Sequence, residues 1–183
     1  MRKFQIAVFA ALLTSPLSTL ASDTVSFGFT VEPKRLDGQM LDTGSKIITD
    51  EQWAYEVTVE NRCFRDLENM EIQYIVFMKP TIPGQKMIAG HVKLRRKTGS
   101  APVALLKNCG KFSFFTESVR LKGSRLMSGS YKNGANRWAK DDLKGLWVRL
   151  FLDGKQVAEY ADPVTIIGSE PWNEPGRMKK SVK

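Results

Sequence analysis

Histidine is nearly missing from this chain: His91 is the one copy in 183 residues. With a single imidazole, Ser-His-Asp and Cys-His catalysis and most zinc centres lack their parts. Cysteine is almost as scarce, with Cys63 and Cys109 alone and no C-x-x-C spacing, which excludes dithiol redox catalysis. After residue 21 no apolar run approaches the ~18 residues of a membrane span. Calcium loops of the D-x-D-x-D-G type are absent, and the glycine-containing stretch 123–134 lacks the G-K-[ST] of a phosphate loop. The acidic pairs Asp50-Glu51 and Asp141-Asp142 are neighbours in sequence. Adjacency of that kind does not make the facing carboxylates of a glycosidase. No enzyme signature, metal site or cofactor is therefore expected.

The chain does hold the material of a folded domain. Apolar residues make up 42%, and ten Phe, four Trp and four Tyr are more than a disordered chain carries. Residues 1–21 read as an export signal: Arg2 and Lys3, an apolar stretch from Phe4 to Leu13, then Thr19 and Ala21 as small residues for a peptidase. Cleavage is expected after Ala21, with Ser22 as the alternative. The mature protein is then periplasmic or secreted, with no transmembrane segment left. In an oxidising compartment an even cysteine count predicts a disulfide, Cys63–Cys109, two separate buried thiols being the alternative.

The periodicity is that of strands. Val25–Val31 alternates large and small residues and stops at Pro33; Trp53–Val59 places Trp53, Tyr55, Val57 and Val59 on one face. Residues 34–50 read as a long connection, with a short strand at Lys46–Thr49. Glu71–Met78 is apolar on both faces, as a central strand would be. Met87–Leu94, Pro102–Leu106, Phe112–Phe115 and Val164–Ile167 are further candidates, and Arg137–Lys144 is a candidate short helix capped by Asn136. Asp153-Gly154 between Leu146–Leu152 and Lys155–Tyr160 predicts a hairpin. A two-residue turn would set Trp147 opposite Tyr160, Leu150 opposite Val157 and Glu159 beside Val148, so a bulged three-residue turn stays open. The expectation is an all-β chain, an antiparallel immunoglobulin-like β-sandwich of seven or eight strands over residues 22–168, with a small barrel as second choice. Residues 169–183 read as a flexible basic tail.

Charge is segregated. Residues 23–79 carry 6 basic and 11 acidic residues, whereas residues 80–140 carry 13 basic residues and one acid, Glu117. Such a field attracts anions, and the candidate contact residues are Arg95, Arg96, Arg120, Lys122, Arg125, Arg137 and Trp138. Two bland readings compete: internal neutralisation by the acidic first third, and protection of an exposed strand edge by Lys93, Arg95 and Lys97.

Trp53-Ala-Tyr-Glu-Val-Thr-Val-Glu-Asn61 and the stretch Leu143–Pro163 resemble paired strands of exported immunoglobulin-like proteins of Gram-negative bacteria, some linked to type IV pilus-like machinery. The resemblance implies a non-enzymatic assembly or adhesion role outside the cytoplasm. The chain departs from pilins in lacking their N-terminal polymerising helix. The function expected is binding of an envelope protein or an anionic or glycan polymer through the basic middle segment. The alternatives are a carbohydrate-acting enzyme with paired carboxylates and a self-associating structural subunit, a homo-oligomer.

Overall fold

The structure, a computed structural model, describes residues 25–81, 93–126 and 138–172. Nine strands lie among them: β1 (Phe27–Asp42), β2 (Lys46–Asn61), β3 (Leu67–Lys79), β4 (Arg95–Leu106), β5 (Lys111–Phe115), β6 (Val119–Leu126), β7 (Trp138–Lys140), β8 (Asp142–Leu152) and β9 (Lys155–Asp162). One sheet has the order β1-β2-β6-β7, with β5 also pairing β2; the other has the order β4-β3-β8-β9. Every pairing is antiparallel. The result is the all-β sandwich that the alternation predicts.

The layers meet through alternate residues. Tyr55, Val57 and Val59 of β2 face Ile72, Tyr74 and Val76 of β3 and Leu146, Val148 and Leu150 of β8 in one buried cluster. β3 is apolar on both faces because both are covered. Its outer-face residues Ile75 and Phe77 join Trp147, Ala161 and Ile166 in a second cluster, with Trp172 packed against it. That cover comes from the segment after β9, where Ile166–Ser169 forms α1, a single helical turn, in place of the strand expected at Val164–Ile167. Residues 169–172 of the expected tail are thus docked on sheet β4-β3-β8-β9, and residues 173–183 lie outside the described residues.

Several local expectations are corrected. Residues 34–50 are not a connection but the outer half of one long β1–β2 hairpin that turns at Gly44 (φ +75°). Pro33 does not end β1, because β1 is an edge strand and a missing N–H facing solvent is tolerated there. Residues 138–152 are strands β7 and β8 rather than a helix from Arg137 to Lys144; pairing with β6 and β3 outweighs the weak helical pattern. Val119–Leu126, not among the expected strands, is a strand whose Val119 and Leu121 are buried on either side of Arg120. Most of the candidate strand Met87–Leu94 lies outside the described residues, as do His91 and the signal at 1–21. Asp153 (φ +50°) and Gly154 (φ +75°) make the two-residue turn. A bulge at Val157 then shifts the ladder, so Arg149 rather than Val148 faces Glu159, and Trp147 faces Ala161.

Gly145 sits at an irregularity where β8 pairs β3, with φ +152°. A Cβ there would collide with the Asp162 carbonyl, Ile166 Cδ1 and Pro163 Cδ. Gly145→Ala is expected to lower unfolding stability by about 3 kcal/mol, measured by denaturant titration. A second expectation concerns alkaline pH. Burial, and then the charges of Asp162 and Asp142, push the Tyr55 phenol up to about 12 from its ordinary 10. The unfolded phenol then loses its proton first, so this contribution is whole below pH ~10 and lost between ~10 and ~12. Melting temperature should fall across that window, and less steeply in Tyr55→Phe.

Candidate functional site

The chain passes between layers at residues 62–66, 107–110 and 141. Asp141 is the third crossing: its Oδ1 accepts the Thr81 N–H at 2.9 Å and its Oδ2 the Lys122 N–H at 3.2 Å, while its own N–H donates to the Lys122 carbonyl. This ties the end of β3 to β6. Beside that corner opens a groove of about 520 Å³ whose charged lining is Lys46, Arg95, Arg120, Lys122 and Asp141, with Ile48, Ser124 and Ala139 among its neutral members. Such a volume is that of a small-ligand or polymer-segment site.

Strand geometry explains the convergence. Arg120, Lys122 and Ser124 alternate with buried Leu121 and Gly123, so they share one face of β6. Across the ladder Ser124 opposes Ile48, and Leu126 opposes Lys46. Arg95 arrives from the other sheet as the first residue of β4, opposite Met78. Lys46, Arg95, Arg120 and Lys122 meet no carboxylate within ion-pair distance among the described residues. Asp141, the one acid in the lining among the described residues, has both oxygens engaged by backbone N–H groups.

Elsewhere the basic segment is neutralised in part, at two lysines by acids of the first third and at a third by Glu117 of the segment itself. Lys140 pairs with Glu51 at 3.1 Å, Lys111 with Glu60 at 3.6 Å and Lys97 with Glu117 at 2.7 Å. Glu51 also accepts the Trp53 indole N–H, which, with Lys140 and Arg35, holds its carboxyl below the usual range.

Of the predicted contact residues, Arg95, Arg120 and Lys122 come together in the groove. Arg96 does not: it pairs with Glu170, donates to the Pro171 carbonyl and lies over the Phe77 ring, holding the C-terminal segment in place. Arg125 lies outside the groove lining, in the ladder opposite Ile47 and Trp138. Arg137 and the Trp138 side chain fall outside the described residues. Lys46 was missed because it stands in the acidic third; its place two residues before Ile48 on a strand facing β6 was the signal. A second, smaller recess of about 130 Å³ adjoins, lined by Asp37, Gln39, Asp50, Gln52 and again Arg120.

The expected Cys63–Cys109 disulfide is absent, and both thiols are free. Each sulfur has its own partner. Cys63 Sγ accepts the Ser26 N–H at 3.1 Å, while Cys109 Sγ lies 3.1 Å from Asn108 Oδ1 at an exposed corner of φ +52°. Thiol titration of the native protein should count two reactive groups, Cys109 reacting faster than half-buried Cys63; a count of zero without reductant would contradict this arrangement.

No family model matches the chain, and no curated protein does. Among solved structures, the ApaA protein from Bordetella pertussis is similar at 10% identity over 76% of this chain and 94% of its own, with a TM-score of 0.36. The structural-genomics target SoR45 is similar at 9% identity over 63% of this chain and 85% of its own, with a TM-score of 0.33. A protein from Akkermansia muciniphila is similar at 12% identity over 86% and 78%, with a TM-score of 0.26.

Proposed function

We propose that this is an exported, non-enzymatic binding or assembly protein that holds an anionic partner in the groove beside Asp141. The observation that carries the reading is the set of four cations that have no carboxylate partner among the described residues and line one recess of about 520 Å³. Keeping like charges together has a stability cost of a fraction of a kcal/mol per close pair at a surface. That cost is offset when an anion binds. Two of the four are arginines, whose planar guanidinium groups can grip a carboxylate, sulfate or phosphate with two parallel hydrogen bonds. The lysines add point charges that attract and steer.

The partner is an envelope polymer or protein surface carrying negative charge, and the site of action is the periplasm or the cell exterior. Among the described residues no helix is long and apolar enough to cross a membrane. Catalysis is no part of this reading, since Asp141, the groove's one carboxylate among the described residues, is committed to backbone N–H groups at the crossing.

The triple substitution Arg95→Gln, Arg120→Gln and Lys122→Gln tests it. Retention on an immobilised polyanion should fall at least about tenfold at low salt, and its salt dependence should flatten. Unchanged retention by a variant with an unaltered melting temperature would refute the assignment.

A further inference from the structure

Resting on the anion-binding reading, we infer that the ligand is an acidic saccharide, its anionic group in the basic groove and the hydroxyls of the adjoining sugar in the recess beyond Arg120. Arg120 lines both recesses, so one guanidinium separates a cationic compartment from one built of carboxylates and amides.

The ladder lays this out in rows. Asp37 opposes Gln52, which opposes Arg120; Gln39 opposes Asp50, which opposes Lys122. Neighbouring strands stand ~4.8 Å apart, and residues i and i+2 on one strand ~6.7 Å apart. The two rows therefore form a small grid with cations on one side and hydroxyl acceptors on the other.

The second compartment retains unused capacity. Gln39 and Asp50 make no side-chain hydrogen bond or ion pair among the described residues, and Gln52 spends only its amide N–H on Ser118. A carboxylate accepts hydrogen bonds and donates none when ionised, while a glutamine does both. Sugar hydroxyls, donor and acceptor at once, satisfy such a set.

A densely charged chain does not. A polyphosphate or nucleic acid following the same path would bring negative charge against Asp37 and Asp50, the repulsive element that gives specificity. An uncharged sugar would leave the four cations unanswered.

The experiment is calorimetric titration of the chain from Ser22 onward with four tetramer-length probes: an oligogalacturonate, a sulfated oligosaccharide, a polyphosphate and a maltooligosaccharide. One acidic saccharide should bind at least about tenfold tighter than polyphosphate, with no measurable binding of the maltooligosaccharide. Preference for the uronate or the sulfated probe identifies the anionic group as carboxylate or sulfate. Asp50→Asn and Gln39→Ala, at side chains without partners among the described residues, should each weaken the saccharide about three- to tenfold, while Asp50→Asn tightens polyphosphate. Polyphosphate binding as tightly as the saccharides, with Asp50→Asn tightening every anion alike, would overturn this inference and leave the anion site standing. Binding of none of the charged probes would overturn both.

Discussion

A sandwich made from one chain must carry its backbone from layer to layer, and every crossing removes peptide groups from the ladders that would otherwise satisfy them. Buried N–H and C=O groups left unpaired cost ~1–3 kcal/mol each. Here the crossings are closed by side chains that stand in for a strand. Fully buried Asn61 donates through Nδ2 to the carbonyls of Arg65, Leu106 and Lys107, and its Oδ1 accepts the Cys63 N–H. Its backbone N–H bonds the Gly110 carbonyl, and Asp66 accepts the Asn108 N–H, so two crossings are stitched into one corner. Asp141 does the same for the third crossing. The hydrophobic seam between the layers supplies the driving force, and these corners supply hydrogen-bond partners for the backbone where the chain changes sheet.

The groove is a by-product of that third corner. Where the chain leaves β7 for β8, the start of β4 is brought beside β6, and residues far apart in sequence share a recess. Charge segregation along the chain only partly survives folding. Lys140 and Lys111 find acids of the first third, Arg96 is drawn to Glu170, and Lys97 is answered by Glu117. Four of the cations left without an ion pair among the described residues, Lys46, Arg95, Arg120 and Lys122, share one groove, which turns a compositional bias into a local field.

The strand pattern was readable where large apolar side chains recur along a buried face. Trp53–Val59 and Glu71–Met78 declare themselves by alternation and by two-sided apolarity. β6 was not readable, because its outward residues are arginine and lysine and its inward ones include Gly123. The outer half of β1 was masked by Pro33 and by polar residues on both faces, and only pairing with β2 makes it a strand. The hairpin at Asp153-Gly154 was legible as a hairpin, but its turn length and register were not, since a single bulge decides whether Glu159 meets Val148 or Arg149. The predicted disulfide rested on compartment and parity alone, with no geometry behind it. The site was half legible: arginines and lysines of β4 and β6 stand out by composition. Lys46 and the Gln39–Asp50 row become neighbours of the groove only through cross-strand register.

The C-terminal segment adds a mechanical dimension. Trp172 meets Trp147 edge-on at 4.9 Å, and the Arg149 guanidinium lies 4.3 Å from the Trp172 ring centre and 4.9 Å from that of Trp147. Tension along the polypeptide beyond that indole is taken up first by this clamp, and next by the grip of Arg96 on Glu170. Arg96 adjoins Arg95 on the same strand, so a load passed through Glu170 reaches β4 one residue away from the groove lining.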